Sequence, residues 1–188
     1  TIWLREGWQF VVSSCFEEDG LFLINQGPAR EWTSDRFLSL ISKDREDFDI
    51  DLVTGGVFGF DLDKDLCLVY VEGIDLPAIE IASRPPRSHE KAVNVAAPLG
   101  IFGDDLMPYF EGHYLGTIYN SWVDVMESNR TAVYSIPAAG GSSGSPVLNR
   151  YGRLIGMIHS VYPAMHHLSL SPTWKQIDSF LKRQLGDL

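Results

Sequence analysis

Short runs in which apolar and polar residues alternate, interrupted by turn-forming residues, dominate the chain. "GWQFVVSS" (7–14) and "GLFLIN" (20–25), separated by the acidic "CFEEDG", predict a hairpin. "FLSLIS" (37–42), "LVTGGVFGF" (52–60), "LCLVYVE" (66–72) and "AIEIAS" (78–83) continue the pattern. "AVNVAA" (92–97), "HYLGTIYN" (113–120), "TAVYSI" (131–136), "SPVLN" (145–149), "RLIGMIHSVY" (153–162) and "HHLSLS" (166–171) repeat it. About a dozen strands with turn signals between them predict an all-β fold of the sandwich or barrel kind. A single helix is expected, at the end. Ser171 suits its cap, Pro172 its first position, and Trp174, Ile177, Phe180, Leu181 and Leu185 make one apolar stripe. Lys182 and Arg183 complement the last turn before Gly186.

The paired prolines of "SRPPRSHEK" (83–91) cannot join a sheet interior and predict a linker. They divide the chain into an N-terminal unit, 1–84, and a C-terminal unit, 89–188, of about six strands each, the second carrying the helix. No repeat is legible between the two, and the acidic "KDREDFDID" (43–51) reads as a solvated loop.

Composition narrows the partners. Apolar residues make up 45% of the 188, enough for ordinary folded cores. The 25 acidic against 15 basic residues give a net charge of −10, which repels phosphate backbones and anionic lipid headgroups, so neither nucleic acid nor a membrane surface is the expected partner. No apolar run reaches bilayer-spanning length, and Thr1 to Gln9 lacks the basic start and apolar centre of a signal peptide. Cys15 and Cys67 lie far apart, in or beside strand-like runs; they read as buried thiols, with a single bridge left open.

The candidate chemistry sits in "PAAGGSSGSPVLNRYG" (137–152). Its glycines permit backbone conformations closed to other residues, and such a bend turns several N–H groups into one small space that suits an anion. A serine hydroxyl at its rim is what acyl transfer needs, because the oxyanion must meet preorganised donors while the hydroxyl attacks. A second pattern, Asp61, Asp63, Asp65 and Glu72 at positions 1, 3, 5 and 12, imitates a calcium loop, but Leu66 stands where that loop requires glycine; no metal or cofactor is expected.

"GSSGSPV" followed by "GRLIGMIHS" resembles the nucleophile loop and next strand of trypsin-like serine peptidases, particularly the bacterial, phage and HtrA-like branches. "FDLDKDLCLVYVE" resembles the family's aspartate-headed strand, "VNVAAPLG" (93–100) the opening of its second barrel, and "HHLSLSPTWKQIDSFL" its last strand and helix. The resemblance implies two six-stranded antiparallel barrels of chymotrypsin type, about 1–84 and 89–170, and the C-terminal helix lying against the second. It implies Ser143 as nucleophile, the Gly141 and Ser143 amides as oxyanion donors, and Asp65 as the carboxylate that orients an imidazole. It places Pro137, His159 and Ser160 in the pocket for the side chain before the scissile bond. An uncharged floor at Pro137 predicts apolar, small or uncharged preferences.

The histidine departs from the pattern. Aligning "FLINQG" with the strand that ends at the family's imidazole puts Gly27 in its place, 38 residues before Asp65, and none of the five histidines precedes position 89. Losing one triad member costs roughly 10⁴- to 10⁶-fold in turnover. Two functions therefore stand open: a serine endopeptidase acting on polypeptides, or an inactive pseudoprotease whose shape holds a protein partner.

Overall fold

The computed structural model describes residues 2–5, 8–13, 15–18, 21–24, 55–71, 79–96, 98–101, 106, 108–119, 130–162 and 164–186, with side chains from residue 59 onward. Gly27 and the expected strand 37–42 lie outside the described residues.

Within the first half, β1 (Ile2–Arg5), β2 (Trp8–Ser13), β5 (Gly55–Asp61) and β6 (Leu66–Val71) form an antiparallel sheet in the order β1-β2-β6-β5. Among the described residues β3 (Cys15–Glu18) and β4 (Leu21–Ile24) pair only with each other. The hairpin near the start is thus β3–β4, and "CFEE" is a strand where a turn was expected; β2 pairs with β1 and β6 instead. Phe16 and Leu23 are cross-strand partners there, so alternation outweighs the acidic residues' turn preference.

The second half forms one antiparallel sheet of seven strands: β7 (Lys91–Val95), β8 (Tyr109–Tyr119), β9 (Arg130–Tyr134), β10 (Pro146–Asn149), β11 (Leu154–Met157), β12 (Ser160–Tyr162) and β13 (Met165–Pro172). Their order is β11-β10-β7-β8-β9-β13-β12. β8 bends to serve two neighbours: Tyr109–His113 pair with β7, and after a register shift at Tyr114/Gly116 the remainder pairs with β9. Gly116, at φ 142°, supplies the conformation that bend needs.

This curl brings the sheet round until its edge strands, β11 and β12, follow one another in the chain, separated only by Ile158 and His159. The expected single strand 153–162 is therefore two, which makes seven strands among the described residues of this half. The expected strand 78–83 is reduced to one parallel bridge, Ile81 to Leu154.

The helix α1 (Trp174–Leu185) is capped by Thr173, two residues later than Ser171. Thr173 and Gln176 form a reciprocal capping box, while Pro172 ends β13 opposite Thr131, where its missing N–H does no harm. The helix packs on both halves, not on the second alone. Ile177, Phe180, Leu181 and Leu185 share a buried core with Leu66 and Leu68 of β6 and with Leu154 and Met157 of β11. Trp174 joins the neighbouring core around Tyr134 and Ile155, and its indole Nε1 donates to the Ala82 carbonyl at 2.9 Å.

Phe180 is fully buried at this junction, so Phe180→Ala should cost about 3–5 kcal/mol of stability, read as a lowered urea midpoint. Exposed Lys175→Ala on the same helix should stay within about 0.5 kcal/mol of the native chain.

Candidate active site

After β9 the chain passes buried Ile136 and Ala138 and folds into the bend 139–145 before β10. Gly141 and Gly144, at φ 94° and 82°, take left-handed conformations that side chains disfavour. Ser142 is buried at the centre: its N–H donates to Ala139 O at 2.9 Å, and its Oγ accepts from Ala139 N at 3.3 Å.

Two carbonyls of the bend are pinned. Ser142 O accepts from Ser145 N at 3.1 Å and from Ser145 Oγ at 2.5 Å. Fully buried Asn94, on β7, braces that arrangement by donating through Nδ2 to Ser145 Oγ and to Pro146 O, both at 2.8 Å. Gly140 O accepts from Leu99 N at 2.6 Å, and Leu99 is itself held at φ 56°. In a planar trans peptide the N–H points opposite to the C=O. Each pinned carbonyl therefore turns the N–H of its own peptide, that of Gly141 or of Ser143, away from the carbonyl's partner, and neither N–H donates to any acceptor among the described residues.

The two residues between β11 and β12 face this bend. Ile158 O accepts from Gly144 N at 2.7 Å, Ile158 N donates to Ser145 O at 3.0 Å, and His159 N donates to Leu170 O of β13 at 3.0 Å. Ser143 Oγ donates to the main-chain oxygen of His159 at 3.3 Å.

The ring of His159 meets the first half of the molecule. Its Nδ1 lies 3.8 Å from Asp65 Oδ2, with the two side chains 11% and 21% exposed. Asp65 follows a 3-10 turn, Leu62–Lys64, and precedes β6, whose buried Leu66, Cys67 and Leu68 fix the strand. Its φ of 52° is one that aspartate tolerates better than most residues, and it turns the chain sharply into β6. Burial pushes the His159 imidazole down to about 4, so the ring is neutral at physiological pH. At 3.8 Å the contact is too long for a hydrogen bond and does not offset that burial.

Of the expected site residues, Ser143 reaches the main-chain oxygen of His159 and the His159 ring lies against Asp65, while the Gly141 and Ser143 N–H groups each point away from a pinned carbonyl. Pro137 is exposed, and Ser160 is half-buried at the start of edge strand β12. β13 stands between their segments, pairing with β12 and receiving Ala138 N at His166 O. Within the calcium-loop pattern, Leu66 is a buried strand residue, and Asp61 bonds Lys64 Nζ at 3.0 Å and Arg183 at 2.7 Å. Burial raises the Asp61 carboxyl, but Lys64 and Arg183 outweigh it and hold the group below its ordinary value. Cys67 is a buried free thiol.

Asn94, Ser145 and Leu99, which shape the bend, carried no warning in the sequence reading; a buried asparagine on an otherwise apolar strand was the available signal.

The model of the trypsin-like peptidase domain matches residues 25–157. The chain belongs to that family. Its fold is shared with an HtrA-type protease, AlgW, solved with a tripeptide (TM-score 0.63, 13% identity, covering 97% of this chain and 53% of that one). It is similarly shared with a serine endoprotease from Yersinia pestis (0.61, 13%, 97% and 55%) and with the active form of the Rv3671c protease from M. tuberculosis (0.61, 11%, 97% and 71%). The chain thus spans little more than half of the first two of these structures. No curated protein sequence matches it significantly. The span matched by the trypsin-like peptidase model contains Gly27, Asp65 and Ser143 and stops two residues short of His159.

The buried neutral ring makes stability depend on pH. An unfolded histidine takes a proton near 6.5 and the folded one only near 4, so between those values the unfolded chain binds more protons and stability falls as pH falls. The gap is worth about 3 kcal/mol. Urea titrations from pH 7 to 4 should show that loss in the native chain and a shallower decline in His159→Gln; equal slopes would contradict a neutral buried ring.

Proposed function

We propose that this member of the trypsin-like peptidase family is a serine endopeptidase that hydrolyses peptide bonds through an acyl-enzyme on Ser143. The observation that carries the reading is the bend 140–145, in which two pinned carbonyls leave the Gly141 and Ser143 amides unspent beside a hydroxyl. Donors fixed before the substrate arrives are what a developing oxyanion requires, and each such donor is typically worth about 10²- to 10³-fold in turnover. Ser143 attacks the carbonyl carbon, Asp65 holds an imidazole in orientation, and no metal or organic cofactor enters.

The substrate is a polypeptide. The AlgW structure, with its tripeptide, supports that class. The family resemblance puts Pro137 at the floor of the pocket for the residue before the scissile bond, and an uncharged residue there favours an apolar, small or uncharged side chain. A net charge of −10 disfavours nucleic acid and anionic membranes as partners.

Two observations favour a second reading, a catalytically silent module that uses the same cleft to hold a protein partner. The Ser143 hydroxyl is spent on a main-chain carbonyl, and Gly27 stands where the family resemblance puts the imidazole.

A fluorophosphonate probe separates the two. The endopeptidase reading expects covalent labelling of the full chain at Ser143, abolished in Ser143→Ala. A folded native chain that takes up no probe would reject it in favour of the binding module.

A further inference from the structure

We infer that His159, entering from the seam between β11 and β12, is the histidine of this site and takes the proton of Ser143. The inference rests on the endopeptidase reading and supplies the group that the first half of the chain lacks at Gly27.

The histidine inventory is short. His89, His113, His166 and His167 are exposed, and His159 is the one largely withdrawn from solvent, its side chain 11% exposed. It is also the one whose ring lies against Asp65, at 3.8 Å, and whose main-chain oxygen already holds the Ser143 hydroxyl, at 3.3 Å. Nucleophile and imidazole are therefore tied to one residue, whose backbone is fixed by the Leu170 carbonyl on one side and, through Ile158, by Gly144 and Ser145 on the other. Nδ1 is the ring nitrogen nearer the carboxylate, which leaves Nε2 for the transferred proton. Burial keeps the ring unprotonated, the state in which it can accept.

The step balances without a further reactant. As Ser143 Oγ bonds to the substrate carbonyl carbon, its proton passes to His159 Nε2 and the carbonyl electron pair moves onto the oxygen facing the Gly141 and Ser143 amides. The imidazolium, beside the Asp65 carboxylate, returns the proton to the leaving nitrogen as the carbon–nitrogen bond breaks. Water then repeats the sequence on the acyl-enzyme.

The test measures fluorophosphonate labelling rates for the native chain, His159→Ala, His159→Gln and Ser143→Ala, with circular dichroism on each. His159→Ala should label about 10⁴-fold more slowly. Added imidazole should restore about 10²-fold of that, and nothing in Ser143→Ala. Rescue by free imidazole is a response that a merely structural histidine would not give. Folded His159 variants that label at the native rate, or slow ones that imidazole leaves unchanged, overturn the inference while the serine-peptidase reading stands. Absence of labelling in the native chain removes that reading and this one together. Should both variants unfold, a crystal structure of the phosphonylated native chain decides: His159 Nε2 within hydrogen-bond distance of the phosphonyl group or Ser143 Oγ supports the assignment, and a ring turned away from both overturns it.

Discussion

The two-residue seam at Ile158–His159 is the constraint on which the second half of the molecule depends. A sheet that curls must bring its edges together, and here the closing strands are consecutive in the chain, so the gap between them is only as wide as two residues. Unpaired backbone groups at such a gap would be costly. They are satisfied by the bend 139–145 on one side and β13 on the other. The hydrogen bonds that hold the seam and those that shape the candidate site are therefore the same set.

That economy explains where the polar burial falls. Asn94, Thr131, Asn149, Ser169 and Ser171 of the sheet and Ser142 of the bend are buried among residues that are otherwise mostly apolar. Asn94 and Ser142 brace the bend, while Ser171 Oγ accepts from Met157 N at 2.8 Å, holding β11 against β13 just before the seam. Two atoms, Asn94 Oδ1 and Ser169 Oγ, have no partner among the described residues. Burying an unsatisfied oxygen costs about 1–3 kcal/mol, which the apolar junction beneath α1, with Phe180 and Leu66 fully buried, must outweigh.

Local chemistry was legible in the sequence wherever it was dense. The glycine bend, the aspartate heading β6 and the apolar stripe of α1 each combine several residues whose preferences agree, and each lies where expected. β3 was missed because Glu17 and Glu18 read as turn residues, while their pairing with Phe22 and Leu21 is a tertiary fact. The helix cap was assigned to Ser171 because Ser-Pro is a strong start signal, whereas Pro172 closes β13 and the Thr173–Gln176 box does the capping. The approach of His159 to Asp65 could not be read at all. It joins positions 94 residues apart, one in a break within an apparently continuous strand and the other in a left-handed turn, and neither irregularity follows from alternation.

The resting distances make His159 a weak base, and the magnitudes say what would strengthen it. Burial withdraws about 3 kcal/mol from the protonated ring. A hydrogen bond to a charged partner typically returns about 1.5–3 kcal/mol, but only at about 2.7–2.9 Å, and the ring stands at 3.8 Å from the carboxylate. Closing the remaining ångström would thus recover most of what burial removes. Catalytic hydrogen bonds are often long before substrate arrives and tighten in its complex. A peptide lying along edge strand β12 would cover Ser143 and exclude water from the seam, strengthening the attraction that draws ring and carboxylate together. On the assignment of His159 proposed above, basicity follows substrate binding, which keeps the serine quiet until there is a bond to cut.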